Sequence, residues 1–138
     1  MIENKAYALA VMLGGDMMLM PDRGGHAVGL TRPDGRYALF QDTRGAIYAD
    51  DTACLSNPHG ECSRSEWGSW GFGESWAVGL ATLIGGQAHR SGSTWLVLFQ
   101  RSDGRFAVIG ADEVEVYQSR GHYENCEKPE YLGWAWNV

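Results

Sequence analysis

The side chains best equipped for chemistry in this sequence are three cysteines and four histidines. Cys54, His59 and Cys62 fall in one stretch, His122 and Cys126 in another. Thiolates and imidazoles are the ligands zinc prefers, so the five residues form a candidate metal set if the two stretches meet. The spacings differ from the usual short ligand pairs, because Cys54 and Cys62 are eight apart and His122 and Cys126 four apart. A metal site is therefore the alternative expectation, and no cofactor is expected. His59-Gly60-Glu61 matches the first half of the zinc deaminase signature, but the Pro-Cys-x-x-Cys half is missing. His26 or His89 beside one of the seventeen carboxylates would make an acid/base pair, which spacing alone does not place. No phosphate loop, dinucleotide fingerprint, His-Glu-x-x-His or Gly-x-Ser-x-Gly occurs. The reading leans away from an enzyme.

Aromatic residues give the second candidate set. Trp67, Trp70, Phe72 and Trp76 follow one another in a polar, glycine-rich stretch, and Tyr131, Trp134 and Trp136 crowd the tail, so five of the six Trp lie in these two places. Trp supplies large, stiff contact area and is costly to leave bare. These seven residues are read either as covers over open core ends or as a recognition patch. Met17-Met18-Leu19-Met20 reads as a gap-filling cluster, an extra strand or an adaptable surface.

The elements that must position these residues come from a repeat. Val28 to Tyr48 lies over Val97 to Tyr117 at an offset of 69 with no gap, and Arg32-Pro33-Asp34-Gly35-Arg36 lies over Arg101-Ser102-Asp103-Gly104-Arg105. Upstream, Ala6, Leu9, Ala10 and Gly15 lie over Ala77, Leu80, Ala81 and Gly86 at an offset of 71, which puts a two-residue difference in one connection. Ala6, Leu9, Ala10 and Leu13 recur at helical spacing, as do Ala77, Leu80, Ala81 and Ile84. Asn4 and Ser75 are read as N-caps, and Gly14-Gly15 and Gly85-Gly86 as helix stops. Three strands follow each helix, at 26–31, 36–41 and 46–50, then 94–100, 105–110 and 114–118, with turn residues between them. The charged hairpin tips read as solvated ends.

The expected fold is α+β: a tandem duplication of a helix plus a three-stranded antiparallel meander (αβββ-αβββ) about a pseudo-twofold, giving a six-stranded sheet or half-barrel. One domain spans 1–138, with repeat one at about 4–51, an aromatic linker at 52–74, repeat two at about 75–120 and a tail at 121–138. The outline resembles the paired modules of the vicinal oxygen chelate enzymes. Those modules begin with a strand and carry His and Glu metal positions, which cannot be placed here, so no family is assigned.

At 138 residues, 44% hydrophobic and 20% charged, the chain can bury a core unaided. A net charge of −6 opposes phosphate backbones and anionic lipids, so neither nucleic acid nor membrane is expected as a partner. An odd, small cysteine count favours a reducing, cytoplasmic setting over a secreted scaffold. Ala6 to Leu13 has an internal counterpart at 77–84 and is read as structure, not as an address signal. The expectation is a soluble binding protein, of a bacterial or phage accessory or inhibitory kind. It would hold a protein or small ligand through the linker and tail aromatics, with a homodimer through strand edges as a further expectation. The alternative is a small enzyme or metal site between the repeats.

Overall fold

Leu9 and Leu80 are fully buried, and the two helices that carry them set the architecture. In the computed structural model, which describes residues 1–20, 25–56, 60–71 and 73–134, the order is α1 (Glu3–Leu13), β1 (Asp16–Met20), β2 (Gly25–Thr31), β3 (Tyr37–Phe40), β4 (Arg44–Tyr48), α2 (Asp51–Ser56) and β5 (Ser63–Glu66). Then follow α3 (Glu74–Ile84), β6 (Gln87–Ser91), β7 (Thr94–Gln100), β8 (Phe106–Ile109), β9 (Glu113–Tyr117), α4 (Arg120–Glu124) and β10 (Tyr131–Trp134). The second half thus repeats the element order of the first. Its pairing register agrees too: Asp16 faces Gly29 as Gln87 faces Leu98, and Arg44 faces Glu66 as Glu113 faces Trp134.

The six-stranded sheet expected from sequence is replaced by two separate five-stranded antiparallel sheets, ordered β1-β2-β3-β4-β5 and β10-β9-β8-β7-β6. Each meander gains a strand on either side. Met17 to Met20 supplies the first as β1, and the segment read as linker supplies the last as β5. The helices begin at Glu3 and Glu74, so Asn4 and Ser75 lie inside the first turn and not at the caps, where Ile2 and Gly73 sit. Their C-terminal ends follow expectation: Gly14 and Gly85 adopt φ of 71° and 78°, the left-handed conformation that glycine enters without steric cost.

Helices of eleven residues are marginal alone and need a docked apolar stripe. Here each stripe serves both sheets. α1 packs on β1 and β2 of its own sheet and on β9 and β10 of the other, while α3 packs on β6 and β7 and reaches across to β4 and β5. One buried cluster accordingly joins Leu9, Leu13, Leu80 and Ile84 to Val28, Phe40, Val97 and Ile109 from both halves. The reverse face of each sheet carries a smaller cluster, Tyr37, Leu39, Tyr48 and Cys54 on one and Leu98, Phe106, Val108 and Tyr117 on the other. The short helices lie at these outer clusters, α2 through Cys54 and α4 through Tyr123.

The hairpin arginines are structural. Arg32 Nη1 donates to the Thr82 carbonyl at 2.8 Å and also to that of Leu83, at the C-terminal end of α3. Arg101 Nη1 donates to the Met12 carbonyl at 2.9 Å, at the end of α1. Each hairpin therefore satisfies orphan carbonyls on the other half's helix and sets a cation against the negative end of its dipole. Asp34 and Asp103 hold the guanidinium groups in place, with contacts of 3.1 Å to Arg32 and 2.7 Å to Arg101. The solvated-end reading fails for Arg32 and Arg101, whose side chains are only 10% and 14% exposed. It holds better for Arg36, at 45%.

Candidate functional site

The linker aromatics converge on one end of the molecule. Trp67 is 4% exposed, and its indole Nε1 donates to the Asp42 carbonyl at 2.6 Å. Its ring lies against α3 at Gly79, where a Cβ would come within 3.0 Å of it. Trp70 Nε1 donates to the Ala111 carbonyl at 2.8 Å. Asp42 and Ala111 are 69 residues apart and hold the same place in the β3–β4 and β8–β9 turns. The pair of indoles thus ties matching turns of the two sheets together. Trp76, 1% exposed, packs at a tilt of 56° against Trp70 with 4.9 Å between centroids, and its Nε1 has no hydrogen-bond partner among the described residues. Lys5 completes the group: its ammonium lies 2.5 Å from Asp42 Oδ1 and 4.2 Å from the Trp70 ring centroid.

Burial removes Trp67 and Trp76 from any surface a partner could touch. Trp70 is partly buried, and Tyr131 is 50% exposed. Phe72, Trp136 and the side chain of Trp134 lie outside the described residues. Of the seven aromatics singled out in sequence, three gather at the inter-sheet end and Tyr131 stands apart on β10.

The thiols and imidazoles do not gather. Cys54 is 2% exposed within the outer cluster of the first sheet, Cys62 is exposed just before β5, and His122 and Cys126 belong to the α4 region of the second sheet. Among the described residues no group of three or more His, Cys, Asp or Glu side chains could hold a metal ion; His59 lies outside them. The linker and tail follow equivalent strands, but those strands belong to different sheets, which is why the two stretches stay apart.

One pair escaped the sequence reading. Ser119 Oγ and His122 Nδ1 are 2.6 Å apart, with Glu127 3.8 Å from Nε2. The hydroxyl also accepts the His122 backbone N–H as the N-cap of α4, so the pair is a local cap between residues three apart. The signal for it was Ser-x-x-His opening a short helix.

The surface that combines exposed apolar and charged groups is a cleft of 340 Å³ lined by Val11, Met12, Arg101, Arg105 and Tyr131. Val11 is 55% exposed on α1. The Arg105 guanidinium lies 5.8 Å from the Tyr131 ring centroid and 3.1 Å from Glu130. The carboxylates of Glu130 and Asp103 raise the Arg105 pKa further above its ordinary value. At Asp103 partial burial acts to raise the pKa, but the Arg105 backbone N–H and the two guanidinium groups outweigh it and hold the carboxyl low. The wall is thus a fixed charge network beside a tyrosine face. The matching junction, between α3 and β5, holds Thr82 for Val11, Leu83 for Met12 and Ser63 for Tyr131, so the exposed pair Val11 and Tyr131 has polar counterparts there.

No family model matches the chain, and no curated protein and no solved structure matches it either. Among the described residues no helix is long and apolar enough to cross a membrane.

Proposed function

We propose that this chain is a binding protein, not a catalyst, and that it holds a protein partner at the cleft between α1 and β10. The observation that carries the reading is the asymmetry of that cleft. The matching element order makes two such junctions between the halves, α1 against β10 and α3 against β5, and the first carries Val11 and Tyr131 beside Arg105 where the second carries Thr82 and Ser63. Tyrosine and arginine are the residue types that dominate binding energy at protein interfaces, and Arg105 is already oriented by Asp103 and Glu130. Of the recognition residues read from sequence, the proposal keeps Tyr131 and releases Trp67 and Trp76 to the core. It also takes the two halves to be a tandem duplication, in which the first half has kept polar residues where the second half's β10 carries the aromatic.

The test places a photo-cross-linking side chain at position 131 and, as a control, at position 63. Capture of one defined partner from 131 and not from 63, followed by about 30-fold weaker binding of that partner by Tyr131→Ala, supports the reading. Unchanged affinity in a folded Tyr131→Ala protein refutes it.

A further inference from the structure

An outermost strand keeps one row of backbone N–H and C=O groups without a ladder partner, and β1 is outermost in the first sheet. The register fixes which groups these are. Arg32 N–H donates to the Arg36 carbonyl across the β2–β3 hairpin, and antiparallel pairs alternate between hydrogen-bonded and non-hydrogen-bonded. Leu30 and Val28 therefore turn their backbone groups towards β3, and Gly29 and Ala27 turn theirs towards β1. His26 agrees, since its N–H donates to the Met1 carbonyl and not to β1. Asp16 faces Gly29 and Met18 faces Ala27, so these two residues bond β2, while the N–H and C=O of Met17 and Leu19 point out of the sheet. Neither Met17 nor Leu19 has a backbone hydrogen bond to a turn, loop or cap among the described residues.

The side chains along this row are apolar. Met17 and Leu19 share the face of the sheet that packs α1, opposite Val28 and His26, and they are 37% and 65% exposed. β1 holds no Lys, Arg or Pro, the residues that ordinarily keep an outermost strand from pairing. The matching strand β6 carries His89 and Arg90, and β5 carries Arg64. The first sheet is thus guarded by charge at β5 and open at β1.

We propose that β1 pairs with β1 of a second copy of this chain, antiparallel about a twofold axis through Met18, joining two five-stranded sheets into one. In that register Met17 faces Leu19 of the partner subunit, and each such pair exchanges both N–H···O=C bonds, because both residues turn their groups outward. Their side chains meet on the α1 face at the spacing of a cross-strand pair. Met18 faces its own counterpart and Asp16 faces Met20 of the partner subunit, so no like charges stand opposite each other. The row is self-complementary, which is what a second copy requires and a foreign strand does not. Each copy carries a net charge of −6, so the pairing strengthens as salt screens the repulsion. No residue of β1 lines the Tyr131 cleft, and failure of this pairing leaves that proposal untouched.

The experiment follows the full chain by analytical ultracentrifugation from about 1 mM to about 1 μM, the range of weak interfaces, and by amide exchange NMR at the upper end. A dimer that dissociates on dilution is expected. Leu19→Lys should keep the circular dichroism spectrum and Tm of the parent, because the side chain is exposed, and weaken association about tenfold or more. Leu19→Pro removes an outward N–H and no ladder bond to β2, and should weaken it similarly. The Met17 amide should exchange slowly in the parent dimer and fast in Leu19→Lys, while the Met18 amide, bonded to β2, stays slow in both. A monomer at every concentration, a dimer that folded Leu19→Lys forms as well as the parent, or a parent dimer with fast Met17 and Leu19 amides overturns the proposal.

Discussion

Replacing Arg32 by alanine should cost far more stability than a charged hairpin residue ordinarily does. The guanidinium makes two charge-assisted hydrogen bonds to carbonyls at the end of α3, at Thr82 and Leu83, from a side chain only 10% exposed. Bonds of that kind are worth about 1.5–3 kcal/mol each, and water entering the vacated end returns part of the loss, leaving a cost of about 2–4 kcal/mol. Arg101 makes one such bond, to Met12, so Arg101→Ala should cost about 1–2 kcal/mol. For a chain of 138 residues the total stability is about 7–20 kcal/mol and the unfolding entropy about 0.29 kcal/mol/K, so a 3 kcal/mol loss lowers Tm by about 10 °C. Urea and thermal unfolding followed by circular dichroism measure both quantities. Arg36→Ala is the control: it sits on the same hairpin, bonds Asp34 but no helix end, and should change stability by less than about 0.5 kcal/mol. Losses for Arg32→Ala and Arg101→Ala as small as that of Arg36→Ala would refute the reciprocal capping.

Other consequences are open to the same assays. Gly45→Ala should destabilise by about 1–3 kcal/mol, because its Cβ would lie 2.1 Å from Leu83 Cδ2 and 3.0 Å from the Leu39 carbonyl. Gly133→Ala should cost less, since it meets the flexible end of Met12 at 2.8 Å, and the two urea midpoints give the order. Trp67→Phe removes the 2.6 Å bond to Asp42 and should lower stability by about 1–2 kcal/mol. Burial and then Asp16 push the Tyr37 pKa up to about 12 from 10.0, so folding favours its neutral form. That contribution is complete below pH 10 and is lost as pH rises through about 12, which an alkaline series of urea melts would show. Tyr37→Phe should reduce that loss, and the part that stays belongs to Tyr117 and Tyr123, whose pKa values burial also raises.

Much of the fold was written in periodic residues. Ala6, Leu9, Ala10 and Leu13 marked α1 because one face had to be buried, and the turn glycines Gly35 and Gly104 adopt φ of 89° and 91° as the hairpin reading requires. The outer strands were harder to read. Ser63-Arg64-Ser65-Glu66 and Gln87-Ala88-His89-Arg90-Ser91 are edge strands with wet faces, so they carry no apolar alternation and look like loops. The division into two sheets was hidden for a related reason: what separates the sheets is that each helix serves both, and local periodicity says that a stripe is buried but not against how many partners. Arg32 and Arg101 looked solvated because their acceptors lie 50 and 89 residues away. Their recurrence beside a turn whose neighbours differ, Pro33 and Ser102, was the signal that pointed to a role beyond the turn. At the candidate site, Tyr131 was legible as an aromatic in a polar tail. Its companions Val11 and Arg105 were not, because only the third dimension brings α1 to β10.

Reciprocal support between the halves is what positions every surface described above, and native-state amide hydrogen exchange tests it most directly. If each helix depends on the other half's sheet and arginine, the core amides of Leu9, Ala10, Leu80 and Ala81 should exchange through one opening with the same free energy and the same urea dependence. Exchange of the α1 amides at a free energy several kcal/mol below that of the α3 amides, with its own shallower urea slope, would contradict it.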